Sequence, residues 1–143
     1  MNTRHRNSLA LALSALVLHA AAAQPASSGS FSLVGSMSQF RRQHTATLLS
    51  NGKVLVAGGA PFAQAATSEI YDPATETWTN SGPLSTGREF HTATSLPDGR
   101  VVVTGGQSAN QLLASTEVYD PPSGRWLNAG PLNVGRELHT ATL

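Results

Sequence analysis

The sequence contains no cysteine. It therefore has no disulfide framework, and it cannot be a lipoprotein anchored through a cysteine. It also lacks the Ser-His-Asp order, the glycine-rich phosphate loop and the Cys/His cluster by which many catalytic and metal sites are recognised. These absences favour a binding or scaffold protein over an enzyme.

No apolar run is long enough to cross a membrane. The run at 9–18 has about ten residues, whereas a bilayer needs roughly 20. It follows Arg4 and Arg6 and precedes three alanines at 21–23, which form a small-residue cleavage site. Residues 1–23 are therefore predicted to be a secretory signal peptide, and the mature protein to be secreted or periplasmic without a membrane span.

Positive charge is scarce once this segment is set aside. Removing Arg4 and Arg6 from the nine lysines and arginines leaves seven, against eight aspartates and glutamates. The apparent net charge of +1 thus belongs to the targeting segment. No basic patch remains to bind nucleic acid or an anionic membrane, so we expect neither as a partner.

What the sequence does contain is an internal repeat. Residues 44–90 recur as 91–138, and 139–143 begin a third copy, at a period of 47 or 48 residues. A period of this length predicts a repeat fold. The recurring positions include His44, Gly58, Gly59, Tyr71, Trp78 and Arg88, which return as His91, Gly105, Gly106, Tyr119, Trp126 and Arg136.

Each copy is predicted to form four short strands and no helix. The second strand is a continuous apolar run, at 54–56 and 101–103, which predicts burial on both faces. Asn51-Gly52 and Asp98-Gly99 predict hairpin turns with positive φ at both turn residues. The glycine pairs predict a place where another group approaches the backbone closely. A four-stranded antiparallel meander at this period predicts the blade of a β-propeller.

Several of these motifs together resemble the kelch repeat. They are the glycine pair, Tyr-Asp-Pro, the tryptophan seven residues after the tyrosine, and Gly-Arg-Glu. The variety is that of bacterial proteins similar to the galactose-oxidase propeller. The resemblance implies an all-β fold of about two complete blades with partial flanking strands. It also implies that Tyr71, Trp78, Tyr119 and Trp126 pack between neighbouring blades near the glycine pairs.

The resemblance covers residues 31–143 and gives the predicted domain organisation. A flexible lead-in at 24–30 is followed by a partial kelch propeller. Its parts are the end of a blade at 31–43, repeat 1 at 44–90, repeat 2 at 91–138 and the start of repeat 3 at 139–143. Further propeller blades or other copies of the chain are therefore possible partners.

The resemblance also brings an enzymatic alternative, a fragment of a galactose-oxidase-like or other propeller enzyme without its active site. That family's copper cofactor needs a cysteine cross-linked to a tyrosine. This chain has no cysteine, and its two tyrosines occupy the packing position of the repeat. We therefore expect no catalytic residue, no metal and no cofactor. A truncated product without a function of its own is the other alternative.

The recurring histidines and aspartates have both functional and structural interpretations. His44, His91 and His139 could be metal ligands, but their spacing is the repeat period, so each is predicted to do the same structural work in its own blade. Asp72 and Asp120 could be catalytic carboxylates. Each precedes proline, which favours a turn-stabilising role.

Ligand binding is predicted on the loops that differ between the copies, at 60–67 and 107–115. Connections in a meander alternate between the two ends of a blade, so these loops share a face with Arg88 and Arg136. Variable loops on a rigid scaffold commonly bind ligands. The candidates are Phe62, Gln64, Arg88, Asn110, Gln111 and Arg136. They suit a protein or carbohydrate ligand, whereas the opposite face of tight turns has little side chain to offer. The alternatives are that the loops are solvated spacers and the arginines structural.

Overall fold

Short antiparallel strands and turns make up the described part of the chain, which contains no helix. The computed structural model describes residues 34–61 and 65–143, which belong to the unit Val34–Leu143. The predicted signal peptide at 1–23 and lead-in at 24–30 lie outside the described residues, as do Phe62 and Gln64. Within the described residues, no helix has the length and apolar character needed to span a membrane.

The first repeat forms one four-stranded sheet, called blade 1. Its strands are β1 (Thr45–Leu48), β2 (Val54–Ala57), β3 (Ser68–Asp72) and β4 (Thr77–Asn80). Their order in space follows the chain, β1-β2-β3-β4, and each neighbouring pair is antiparallel. The predicted meander is therefore confirmed.

The second repeat forms an equivalent sheet, called blade 2. It contains β5 (Thr92–Ser95), β6 (Val101–Thr104), β9 (Thr116–Asp120) and β10 (Arg125–Ala129), and neighbours are again antiparallel. Between β6 and β9 the chain makes a separate two-stranded hairpin of β7 (Gln107–Ser108) and β8 (Gln111–Leu112). The second repeat thus adds a hairpin to the meander that the sequence predicts.

The hairpin turns differ in detail from the sequence prediction. Positive φ falls on Gly52 (81°) and Gly99 (86°) and not on the preceding Asn51 and Asp98. The side-chain oxygens of Asn51 and Asp98 instead accept a hydrogen bond from the backbone amide two residues on, each at 3.1 Å. Because this bond holds the turn, only the glycine takes the left-handed conformation.

The two blades pack face to face through apolar side chains. Leu49 and Leu55 of blade 1 form a buried cluster with Val101 and Tyr119 of blade 2. In strand β2, Leu55 and Val56 are buried as predicted, whereas Val54 is only half-buried. In β6, Val101 and Val103 are buried, whereas Val102 is only half-buried. Successive strand residues point to opposite faces, so one face of blade 2 is covered and the other is open.

Each blade carries a tyrosine-tryptophan pair across its last two strands. The ring centroids of Tyr71 and Trp78 are 5.0 Å apart, and those of Tyr119 and Trp126 are also 5.0 Å apart. The Tyr119 hydroxyl lies 2.7 Å from Ser81 Oγ of blade 1, which confirms packing between blades. Tyr119 lies opposite Val101, at the end of β6 remote from the glycine pair. Trp126, in contrast, packs against the cluster that contains Ala57, which precedes Gly58, and its Nε1 donates to Ser68 Oγ at 3.2 Å. The expected position near the glycine pairs therefore fits Trp126 and does not fit Tyr119.

Candidate functional site

Arg88 lies between the blades and not on the surface. Its side chain has no exposed area, and its Nη2 is 2.7 Å from Oε1 of Glu117. Its Nη1 donates to the carbonyls of Gly105 and Ser115, at 2.9 and 3.0 Å. The guanidinium is thus bound to three residues of blade 2, since its Nη2 also donates to Ser115 Oγ at 3.0 Å. A side chain buried in this way cannot bind a ligand at the surface. Arg88 therefore fits the alternative interpretation, that the arginines are structural.

Arg41 repeats this arrangement one blade earlier. Its Nη2 lies 2.7 Å from Oε1 of Glu69, and neither side chain is exposed by more than 1%. Burial alone would raise the pKa of Glu69, but hydrogen bonds from Arg41 and from Ser38 outweigh it and hold the pKa below its usual value. Glu69 is therefore a buried carboxylate that stays ionised because an arginine faces it.

Arg136 is the third arginine of the series, and it is exposed. Its Nε donates a long bond of 3.4 Å to the carbonyl of Val134. It forms no ion pair with any of the described residues. Of the two arginines predicted to bind a ligand, only Arg136 is accessible.

The histidines connect the first strands of successive copies. His91 Nε2 lies 2.9 Å from Thr45 Oγ1 of blade 1, and His139 Nε2 lies 3.1 Å from Thr92 Oγ1 of blade 2. Each ring thus reaches back to the preceding copy, so the histidines have a repeated structural role, as predicted, but between copies and not within a single blade. Among the described residues, no group of three or more histidine, aspartate and glutamate side chains is placed to hold a metal ion.

Among the histidines, His91 has the pKa that is shifted furthest from its ordinary value. Burial, and then the charge of Arg88, lower its pKa from 6.5 to about 3. The ring is only 6% exposed and lies beside Gly58, where a Cβ atom would come within 2.8 Å of His91 Cε1. The glycine therefore allows the close approach that the sequence predicts, and the histidine stays neutral at physiological pH.

The recurring aspartates stabilise turns. Asp72 Oδ1 accepts a hydrogen bond from the Ala74 amide at 2.9 Å. Asp120 Oδ2 accepts one from the Ser123 amide at 3.2 Å. The turn-stabilising interpretation is thus confirmed for both.

Asn110 and Gln111 lie on the hairpin that interrupts blade 2. Ala109 and Asn110 have φ values of 47° and 64°, as a two-residue type I′ turn requires at both central positions. Asn110, Gln111 and Leu112 are all exposed. The variable loop of the second repeat is therefore an ordered, projecting hairpin, which we call the 107–112 hairpin.

This hairpin is anchored to the connections between successive copies. Glu89 and Gln107 form an antiparallel bridge, and Gln107 Nε2 donates to Glu89 Oε1 at 3.1 Å. On the other side, the Arg136 amide donates to the carbonyl of Leu113 at 3.1 Å. The second-to-third-strand loop and the fourth-to-first-strand connections thus share one face of blade 2, as the alternation of connections predicts.

The opposite face, which carries the tight turns, has more polar and charged side chains than the sequence suggests. A groove of about 400 Å³ lies between the turns of the two blades, lined by Asn51, Asp98, Arg100 and Asp120 among others. Asp98 Oδ2 lies 2.6 Å from Arg100 Nη2, and Asp120 bonds to Ser123. The expectation of little side chain on this face is therefore wrong, although these charged groups are bound to their neighbours within the turns.

The sequence did carry a signal for the buried carboxylates. A glutamate stands two residues before each repeat tyrosine, as Glu69 before Tyr71 and as Glu117 before Tyr119. This glutamate recurs together with an arginine at the end of the preceding copy, which indicates that the two side chains form an ion pair. Glu89, which directly follows Arg88, is not its partner, because neighbouring side chains in an extended segment point in opposite directions.

Comparisons with known proteins agree with this geometry. Residues 90–133 match the Kelch motif family. No curated protein matches the chain. Among solved structures, a novel fungal alcohol oxidase of the AA5 family, in complex with copper, matches with a TM-score of 0.52 and 24% sequence identity. The match covers 59% of this chain and 18% of the oxidase chain, so it concerns a small part of that protein and shows the fold alone.

The motif, the two repeated meanders and the fold match lead to one conclusion. The described residues form two kelch-type β-propeller blades, similar to those of galactose-oxidase-like propeller proteins.

Proposed function

We propose that this chain is an exported kelch module that binds a partner on the 107–112 hairpin and is not an enzyme. The observation that carries the proposal is the ordered type I′ turn, which presents Asn110, Gln111 and Leu112 to solvent on a fixed frame. Two amide side chains beside an apolar one combine hydrogen-bonding capacity with contact area. Variable loops on rigid scaffolds are the common location of such contacts.

The shape of the hairpin favours a protein partner over a carbohydrate. The exposed residues stand at a projecting tip, whereas small ligands usually bind in concave sites that enclose most of their surface. Leu112 is 55% exposed and would supply apolar area to a flat or grooved protein surface. A carbohydrate is the second candidate, because amide side chains also bond sugar hydroxyls.

Export is proposed from the sequence of residues 1–23. The absence of catalysis is proposed because the chain lacks the residues of a copper-radical site. The AA5 oxidase was solved with copper. The copper cofactor of the family that this chain resembles needs a cysteine cross-linked to a tyrosine, and this chain has no cysteine. Tyr119 is only 2% exposed, and its hydroxyl is bonded to Ser81. These residues do not fit a copper-radical site.

The test is a binding screen of the purified chain on protein, peptide and glycan arrays. The variant combines Asn110→Gly with Gln111→Ala, because glycine keeps the positive φ of the turn while removing the amide. We expect it to lose at least tenfold in affinity while its circular dichroism stays unchanged. Asn51→Ala, on the opposite face, is the control and should bind as the parent does. Equal binding by the hairpin variant would show that the loop is a spacer.

A further inference from the structure

The 107–112 hairpin is too short to hold its own shape. Its strands β7 and β8 have two residues each, and they form a small sheet apart from the four-stranded sheet of blade 2. Even a longer isolated hairpin is only marginally stable in water. Contacts with the rest of the chain must therefore fix the conformation in which Asn110 and Gln111 reach the solvent.

A backbone bridge supplies one part of this support. Glu89 and Gln107 exchange two backbone hydrogen bonds, of 3.1 and 2.9 Å. Blade 1 has the same bridge, in which Arg42 and Ala60 exchange backbone bonds of 3.1 and 2.8 Å. The bridge is thus common to both copies, so it does not by itself distinguish the loop of the second copy.

A side-chain hydrogen bond is specific to the second copy. Gln107 Nε2 donates to Glu89 Oε1 at 3.1 Å, and Glu89 is only 7% exposed. In blade 1 the corresponding residues are Arg42 and Ala60, and alanine carries no donor. A hydrogen bond to a charged group contributes more to stability than one between neutral groups. The side-chain pair that differs between the copies therefore lies at the base of the loop that differs between them.

Glu89 belongs to the first copy, on the connection that leaves blade 1. It directly follows Arg88, and neighbouring side chains in an extended segment point in opposite directions. Arg88 donates to the carbonyls of Gly105 and Ser115, which flank the loop that carries the hairpin. The connection therefore holds this loop twice, because the arginine closes its base and the glutamate holds its strand β7.

Strand β8 is held by the connection on the other side of the hairpin. A Cβ at Gly135 would lie 2.8 Å from the carbonyl oxygen of Leu112, so the two backbones are in close contact. The Arg136 amide donates to the carbonyl of Leu113, the residue after β8, at 3.1 Å. These contacts act on β8 and not on β7, whose position depends on Glu89.

We propose that Glu89 is a positioning residue, which fixes the 107–112 hairpin in the geometry that presents Asn110 and Gln111. A residue of the first copy then sets the surface that blade 2 offers to a partner. A loop that is already held in its binding conformation loses less conformational entropy on binding, so it binds more tightly. This effect on affinity rests on the proposed function, whereas the order of the hairpin can be measured without a partner.

The first test is hydrogen exchange of the backbone amides in the full chain, followed by mass spectrometry. Glu89→Ala removes the acceptor, so the amides of residues 107–113 should exchange about tenfold faster or more. The amides of β9 should keep the parent rate, whereas a general loss of stability would accelerate them as well. Gln107→Ala breaks the same bond from its other side and should act alike. Arg42→Ala, at the corresponding position of blade 1, is the control and should leave the hairpin rates unchanged.

A reversed pair separates the hydrogen bond from the loss of either side chain. Glu89→Gln combined with Gln107→Glu keeps a bond between the two positions, with donor and acceptor exchanged. This double variant should restore the parent exchange rates. The positioning role is contradicted if the hairpin amides of Glu89→Ala and Gln107→Ala exchange at the parent rate. It is also contradicted if the reversed pair exchanges as fast as the single variants.

The second test applies Glu89→Ala to the protein, peptide and glycan arrays. Every array probe whose binding depends on Asn110 and Gln111 should lose about fivefold or more in affinity, and the reversed pair should recover it. Faster exchange of the hairpin together with unchanged binding of these probes would overturn the effect on affinity. If no probe depends on Asn110 and Gln111, the proposed function fails, and the exchange rates alone decide whether Glu89 fixes the hairpin.

Discussion

The guanidinium of Arg88, on the connection that leaves blade 1, lies 2.7 Å from the carboxylate of Glu117 on the third strand of blade 2. Both side chains are removed from solvent, the arginine completely. A buried pair of this kind is costly to desolvate, and removing one member leaves an uncompensated charge. The relationship repeats at Arg41 and Glu69. The blades therefore join through a fixed charge pair as well as through apolar contact.

The first prediction concerns the aromatic residue buried between the blades. Tyr119→Ala should lower the free energy of unfolding by about 3–5 kcal/mol, because it leaves a cavity in the cluster with Leu55 and Val101. Tyr71→Ala, the same change in blade 1, should lower it by less, since Tyr71 is only half-buried. Urea denaturation followed by circular dichroism gives both values. Equal losses would show that the interface does not bury Tyr119 preferentially.

The second prediction concerns a glycine of the second pair. Gly106 has a φ of 89°, and a Cβ there would lie 2.5 Å from the Glu89 carbonyl oxygen. Gly106→Ala should therefore lower the free energy of unfolding by about 2 kcal/mol or more. Gly130→Ala is the matched control, because a Cβ at Gly130 has open space around it. Thermal unfolding of the two variants distinguishes them, and a neutral Gly106→Ala would refute the close approach.

The third prediction concerns acid stability. Folding lowers the pKa of His91 from 6.5 to about 3, so the unfolded chain binds more protons between these values. The contribution of His91 is complete above pH 6.5 and falls as the pH drops towards 3, by about 1.4 kcal/mol per pH unit below pH 6. Burial and the charge of Arg41 also lower the pKa of His44, so it acts in the same direction.

His91→Gln should flatten the pH dependence of the unfolding free energy between pH 5 and 6.5. This window lies above the ordinary pKa of 4.5 of Glu69, whose own lowered pKa affects stability only at more acid pH. His44→Gln, at a less buried ring, should flatten it less. A His91→Gln profile that is parallel to the parent profile would contradict the prediction.

The blades could be predicted from sequence because their determinants are local. The apolar strands, the glycines at 52 and 99 and the aspartates before proline each specify a short segment, and the period assembles them. Even so, the observed turns differ from the predicted ones. Asn51 and Asp98 do not adopt positive φ, because their side chains accept hydrogen bonds from the backbone.

The burial of Arg88 could not be predicted in the same way, because its partner lies 29 residues further along the chain. An arginine beside a glutamate in a connecting segment is typical of a solvated surface, and nothing local indicates depth. The 107–112 hairpin was not predicted either, since Ala109-Asn110 lacks the glycine that usually marks a type I′ turn.

The most direct test of the charge-pair interface is a double-mutant cycle at Arg88 and Glu117, measured by chemical denaturation. Arg88→Met and Glu117→Gln should each lower the free energy of unfolding by about 3–5 kcal/mol, because each strands a buried polar partner. The double variant should lose clearly less than the sum, with a coupling of about 2 kcal/mol or more. Arg125→Met, at an exposed arginine, should leave the unfolding free energy nearly unchanged. Losses that add without coupling, or single variants as stable as the parent, would show that this ion pair does not join the blades.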